Sequence, residues 1–267
     1  MSCISVIIFG LVEGLTEFLP VSSTGHMILL EEWLSLPGSP AFAETFRIVV
    51  QLPAILAVVL YFWKRLWPFS SGTDFNTVFL LWVKICVAFL PAAVIGFFLD
   101  DYLEAWFFNP TSISIALIIG GIVLLLLEKR PPETRFNRAE EIGFRIALAI
   151  GFFQCLAMMP GTSRSAATII GAMILGASRP AAAEFSFFLA IPTMLGATAY
   201  KTVKTGLDLS TSEWGLIAVG GIVAFVTAWL VVASFMAYIQ KRPYAPFAWY
   251  RMVLGVVILA LLGLGYL

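Results

Sequence analysis

Glu13 and Glu17 stand four residues apart, a spacing that puts both carboxylates on one face of a helix. A Pro-initiated run follows, PVSSTG at 20–25, which brings Ser22, Ser23, Thr24 and Gly25 to the start of a new helical segment. His26, the only histidine, comes three residues after Ser23 and shares its helix face. A second run of the same kind, PGTSRS at 160–165, supplies Gly161, Thr162, Ser163, Arg164 and Ser165, with Thr168 one turn on. Unpaired N–H groups at a helix start, with small hydroxyl residues and a glycine, form a cradle for phosphate. The planar fork of an arginine binds two oxygens of that phosphate at once. Ser and Thr also serve everywhere as plain N-caps, so it is the company of two carboxylates, a histidine and an arginine that turns the reading towards chemistry. Two carboxylates would repel an anion unless a divalent cation bridged them. Magnesium or calcium, hard and oxygen-seeking, suits Glu13 and Glu17 together with phosphate oxygens. The chemistry implied is metal-assisted attack on a phosphate.

The elements that must position these groups lie in a bilayer. Of the 267 residues, 60% are hydrophobic and 12% charged. With Gly counted and Tyr left out, the apolar share is about 65%, against about 45–50% for soluble domains. The charge is balanced, with sixteen basic and sixteen acidic residues and no basic tract to hold nucleic acid. Cys3, Cys86 and Cys155 have no CxxC spacing, so neither a metal cluster nor a disulfide framework is expected. The first nineteen residues carry Glu13 and Glu17 and no Lys or Arg, unlike a signal peptide, and are expected to belong to the mature fold. Spanning helices of about 20 residues are expected at about 44–63, 78–98, 111–128, 181–203, 214–238 and 247–266. Four shorter apolar stretches, 2–18, 24–36, 143–158 and 165–176, pair up around the two bends as helix–break–helix hairpins. Broken helices at membrane depth are tolerated where they are buried in protein or line a wet cavity, so a polar chamber is expected inside.

The chain also repeats weakly at an offset of 140: Pro20 with Pro160, Ser23 with Ser163, Pro40 with Pro180, Glu44 with Glu184, Lys64 with Lys204. The Lys/Arg bias of short loops puts Lys64 and Arg65, the linker with Lys129, Arg130, Arg135, Arg138 and Arg145, and Lys241 with Arg242 on the cytoplasmic side. A 98–107 loop with Asp100, Asp101 and Glu104 falls on the other, and Lys201 and Lys204 are outer exceptions. The expected fold is therefore an all-α polytopic membrane protein: six transmembrane helices plus two re-entrant hairpins, in two inverted-topology repeats. It is one integral membrane domain, with repeat 1 at about 1–128, a cytoplasmic linker at about 129–142 and repeat 2 at about 143–267. The two bends would meet near the midplane.

EGLTEFLPVSSTGHM at 13–27 and PGTSRSAATI at 160–169 resemble the two signature stretches of the undecaprenyl pyrophosphate phosphatases, the bacterial bacitracin-resistance family. The resemblance runs on through AETFRIVVQL at 43–52 and AAEFSFFLAIP at 182–192, and so over essentially the whole chain. Pro53 departs from the family pattern, which usually has Gly there. The resemblance implies an inner-membrane enzyme, dependent on a divalent cation, that removes the terminal phosphate of a C55 isoprenyl pyrophosphate. Its product is the lipid carrier for peptidoglycan, its site opens to the periplasm, and abundance of the enzyme confers bacitracin tolerance.

In this reading Ser23 is the nucleophile, His26 or Glu17 takes its proton, and Arg164 with the backbone N–H groups of both bends holds the phosphate oxygens. Glu13 and Glu17 hold the metal; Ser22, Thr24, Gly25, Gln51, Gly161, Thr162, Ser163 and Ser165 are further substrate contacts. His26 as nucleophile and direct attack by metal-bound water are the competing assignments. A structural pairing of Arg164 with Glu184 is the rival for the arginine. The polyprenyl pyrophosphate head must enter sideways between helices from the surrounding membrane lipids, and with twenty-three Phe in the chain a Phe-lined opening is expected. A homodimer is compatible with the sequence. From another class, a transporter or flippase for a phosphorylated lipid shares the architecture.

Overall fold

The computed structural model describes residues 2–36, 39–70, 72, 74–205 and 209–267. Among them the helices follow in order: α1 (Ser2–Thr16), α2 (Ser23–Trp33), α3 (Pro40–Val49), α4 (Gln51–Tyr61), α5 (Trp63–Leu66), α6 (Phe75–Phe107), α7 (Pro110–Lys129), α8 (Phe144–Cys155), α9 (Arg164–Ile174), α10 (Arg179–Thr205), α11 (Thr211–Ile239) and α12 (Ala245–Gly263). The one extended pairing among the described residues is an isolated bridge between Phe136 and Ala177, which pins the linker to the end of α9. Among the described residues six segments are long and apolar enough to cross a bilayer: Ala41–Tyr61, Phe75–Leu99, Pro110–Lys129, Arg179–Val203, Thr211–Ile239 and Ala245–Gly263. They coincide with the six spans expected, and α1, α2, α8 and α9 are the short helices around the two bends. The protein is an all-α, multi-pass membrane protein.

Two local expectations need correction. The 98–107 segment is not a loop: helix α6 continues through it to Phe107. The side chains of Asp100, Asp101, Glu104 and Lys204 lie outside the described residues. The first span is interrupted at Val50, between α3 and α4. Pro53 accounts for the break, because it has no N–H to give the carbonyl of Val49 and its ring crowds that carbonyl. The ring then packs towards α11, where a Cβ added to Gly221 would meet its Cγ at 2.9 Å.

Packing between the halves is reciprocal. Helix α1 of the first half lies on α11 of the second, and α8 of the second lies on α6 of the first, while α7 and α12 pair with each other. Each exchange rests on a glycine: a Cβ on Gly10 would come 2.3 Å from the Gly220 carbonyl oxygen, and one on Gly151 would come 2.2 Å from that of Ala88. Lacking a side chain there, the helices approach backbone to backbone.

These matched contacts also correct the register of the repeat. Gly10 and Gly151 stand 141 residues apart, as do Ser22 and Ser163, the capping residues of the two bends. Ser163 therefore corresponds to Ser22, and Ser23 corresponds to Arg164. Further on, Ser39 and Ser178 each accept a hydrogen bond from the amide three residues later, and they are 139 apart, as are Pro53 and Pro192. The connection after the second bend is two residues shorter, and the apparent offset of 140 averages two registers.

The basic loops gather at one end. Arg65 bonds Glu140 of the linker at 2.6 Å and also Glu184 of α10, and Lys84 donates to the Glu140 carbonyl at 2.7 Å. Glu128, at the end of α7, takes Arg179 at 2.5 Å and the backbone N–H of Tyr244 at 2.7 Å. The other end of the first span is tied through Ser39 to Glu213, at 3.0 Å between side chains.

Candidate active site at two facing bends

Both half-helices after the bends open the same way. Ser22 has φ of 71° and Ser163 of 70°, the only described non-glycine residues with positive φ. That conformation costs energy in an L-residue and persists where the surroundings hold it. Each serine hydroxyl accepts from the amide three residues on, Gly25 at 3.4 Å and Ala166 at 3.3 Å. Gly161, with φ of 89°, lets the second bend press against α7, where a Cβ would lie 2.5 Å from the Ile113 carbonyl oxygen.

The bends touch each other. Ser165 is fully buried and donates to the carbonyl of Leu19 at 2.8 Å. Arg251 of α12, also fully buried, reaches Pro20 O at 3.3 Å in the first bend, and Gly161 O and Thr162 O at 3.2 and 3.0 Å in the second. It also bonds the carbonyls of Ala116 and Leu117 in α7, passing Gly120 where a Cβ would stand 2.3 Å from its Nη2. The guanidinium thus spends its fixed fan of donors on backbone oxygens of three elements.

Glu17 joins the two bends chemically. Its Oε2 accepts from the Ser23 hydroxyl at 2.8 Å, and its Oε1 from Arg164 Nη2 at 3.0 Å. Side chains of Glu17 and Arg164 are each 11% exposed, so water screens the pair weakly. Arg164 is further fixed by the Ser186 carbonyl at 3.1 Å and by the ring of Phe18, 5.9 Å below it. Glu184 is not its partner; that carboxylate belongs to Arg65. Thr168 bonds Ser186 at 2.6 Å and fastens α9 to α10.

A cavity of about 420 Å³ opens on this chain of groups. Of the expected site residues, Glu17, Ser22, Ser23, Thr24, Gln51, Gly161, Ser163 and Arg164 line it. The others are placed differently. Gly25 is buried against Leu117, where a Cβ would meet Cδ1 at 3.1 Å. Thr162 serves through its carbonyl, on Arg251, and Ser165 bolts one bend to the other. His26 is held away from Ser23: its Nδ1 lies 2.7 Å from the Ser22 carbonyl, so Nδ1 carries the proton, and Nε2 lies 2.7 Å from the Tyr250 hydroxyl. The imidazole is stacked on the Tyr250 ring at 5.5 Å. Glu13 is buried behind Glu17, 2% exposed, with Oε1 lacking a hydrogen-bond partner.

That orphaned oxygen is the observation that bears on a metal. No group of three or more His, Cys, Asp or Glu suited to a cation occurs among the described residues. Magnesium needs no such cage, because it is commonly held by one or two carboxylates with substrate phosphates and water. Glu13 and Glu17 fit that pattern.

Several groups escaped the sequence reading. Arg251 sits in the sixth span, where the cost of a charge at membrane depth is itself a signal. Gln154 and Thr193 line the cavity beside Lys201. Its apolar wall comes from α6, through Phe89, Ala92, Ala93, Gly96 and the exposed Phe97.

The family described as "Bacitracin resistance protein BacA" matches residues 6–257. The chain is 48% identical over 257 residues to "Undecaprenyl-diphosphatase 1" of Clostridioides difficile, covering 95% of this chain and 94% of that protein. It is 49% identical over 264 residues to the "Undecaprenyl-diphosphatase" of Fusobacterium nucleatum, covering 96% and 99%. A third, from Enterococcus faecalis, is 46% identical over 263 residues, covering 96% and 95%.

Proposed function

The chain belongs to the bacitracin resistance protein BacA family, and from that premise we propose that it hydrolyses undecaprenyl pyrophosphate to undecaprenyl phosphate and inorganic phosphate. The enzyme sits in the bacterial inner membrane with its cavity open to the periplasmic side. Its product returns to peptidoglycan synthesis, and its abundance confers bacitracin tolerance.

The observation that carries the mechanism is the single carboxylate, Glu17, shared by the Ser23 hydroxyl and Arg164. Arg164 takes two non-bridging oxygens of the terminal phosphate, and the N–H groups at the opening of α2 and α9 help hold them. The Ser23 oxygen forms the bond to that phosphorus while the bond to the bridging oxygen breaks and undecaprenyl phosphate leaves. Glu17 receives the serine proton. Glu17 passes that proton to the departing undecaprenyl phosphate and is a free base again. Water then attacks the phosphoserine and gives a proton to Glu17, which hands it to the Ser23 oxygen as the serine–phosphorus bond breaks and inorganic phosphate departs. A divalent cation held by Glu13 and Glu17 would neutralise charge on the phosphates. His26, with both ring nitrogens occupied, orients the start of α2 through Ser22 rather than taking the serine proton. The lipid tail leaves along the apolar α6 wall and emerges at Phe97.

Phosphate release from undecaprenyl pyrophosphate by purified protein tests this, run with magnesium, with calcium and with excess chelator. Turnover that survives chelation sinks the metal; no turnover under any condition sinks the reaction. The reciprocal packing of the halves is also an arrangement transporters use. Liposomes with substrate in one leaflet distinguish the two, since phosphate release without leaflet exchange means enzyme alone.

A further inference from the structure

Gln154 stands in the second half where Glu13 stands in the first. Each lies three residues beyond the crossing glycine of its short helix, Gly151 or Gly10, and nine before the serine that caps the next, Ser163 or Ser22. Both residues are 2% exposed, and each keeps one polar atom without a partner, Oε1 of Glu13 and Nε2 of Gln154. Unlike Glu13, Gln154 lines the cavity. Its Oε1 accepts from the hydroxyl of Thr193 at 3.1 Å, which leaves the buried Nε2 as the atom without an acceptor.

A buried N–H with no acceptor is costly, and a leucine of similar volume would avoid the cost. A ligand that brings an acceptor would complete the amide at this place. The cavity is lined by Arg164 and Lys201 and by the hydroxyls of both bends, which select an anion. Accepting the cavity as the pyrophosphate site, we infer that Gln154 is a substrate-binding residue whose Nε2 donates to a non-bridging oxygen of the pyrophosphate. Thr193 is its positioning residue. The threonine has one hydrogen to give, and the Leu189 carbonyl at 2.7 Å competes for it. With the anion bound, the favourable amide orientation is the one that turns Nε2 towards it. The two repeats have thereby divided the work: the acid buried on one side serves a cation, and the amide in the matching place serves the anion without adding a further negative charge.

The test compares Gln154→Leu, Gln154→Glu and Thr193→Val with the unmodified enzyme. KM and kcat on undecaprenyl pyrophosphate, calorimetric affinity for inorganic pyrophosphate, and melting temperature in detergent are measured for each. Gln154→Leu is expected to lower kcat/KM about 10- to 100-fold, the worth of one hydrogen bond to a charged group. Gln154→Glu should be worse still, because the anion then meets a carboxylate. Thr193→Val, which leaves Gln154 in place, should raise KM several-fold with kcat little changed. Pyrophosphate affinity should fall in the same order. Gln154→Leu within twofold of the unmodified enzyme would overturn the inference, and so would Gln154→Glu outperforming Gln154→Leu, which would mean that Oε1 faces a cation. If the unmodified enzyme released no phosphate, the proposed reaction would fail. Pyrophosphate binding that still depended on Gln154 would then uphold the anion contact.

Discussion

Ser23 and Arg164 occupy the same place in the two halves of the chain: each opens the half-helix that follows a serine held at positive φ, Ser22 or Ser163. One half carries a hydroxyl at this position and the other a guanidinium. Both then turn to Glu17, which accepts from Ser23 at 2.8 Å and from Arg164 at 3.0 Å. The proposed nucleophile and the proposed phosphate clamp thus stand on one backbone motif used twice, and their separation is fixed by how the bends meet.

Removing the hydroxyl separates chemistry from binding. Ser23→Ala should lower kcat about 10³-fold or more, as loss of a nucleophile does elsewhere, with KM changed only a few-fold because the phosphate cradle is intact. Steady-state phosphate release with undecaprenyl pyrophosphate measures both. Near-normal turnover would eliminate the serine and leave direct attack by water.

Arg164 is expected to resist conservative replacement. A lysine restores the charge but not the fork, and it cannot satisfy Glu17, the Ser186 carbonyl and two phosphate oxygens together. Arg164→Ala should lose about 10²- to 10³-fold in kcat/KM, and Arg164→Lys should recover less than about a tenth of the loss. Full rescue by lysine would show that charge alone is used.

Much of this was legible in the sequence, because the bilayer makes polar residues conspicuous. Six apolar runs, two Pro-initiated breaks and the Glu13–Glu17 spacing named the spans, the bends and half of the site. What stayed hidden depended on contacts between distant segments. Arg251 is 231 residues from Pro20, the bend carbonyl it holds, and no local pattern joins them. His26 follows Ser23 by one helical turn, yet Tyr250, 224 residues away, takes its free nitrogen. Gln154 was obscured by register: at an offset of 140, Glu13 falls on Phe153, and only the crossing glycines and capping serines show that the true offset at the bends is one residue more.

Glu13 should report on the metal. Glu13→Gln preserves volume and burial while removing the charge, so the magnesium concentration for half-maximal activity should rise at least about tenfold, as it does when metal-site supports are altered. Magnesium should also raise the melting temperature of the unmodified protein more than that of the variant. An unchanged magnesium requirement together with an equal thermal shift would leave Glu13 outside the cation site.

Arg251 should behave as a structural bolt whose loss reaches the chemistry. Its partners are carbonyl oxygens of both bends and of α7. Arg251→Ala strips donors from several buried acceptors at once, each such loss costing about 1–3 kcal/mol. The melting temperature in detergent should therefore drop clearly, whereas Ser23→Ala should leave it unchanged. Lysine offers three donors from a single point and cannot span three elements, so Arg251→Lys should fold but misalign Ser23 and Arg164, lowering kcat more than it raises KM. A variant at Arg251 with native stability and native kcat would show that the bends hold each other without it, through Ser165 with Leu19 and through Glu17 with Arg164.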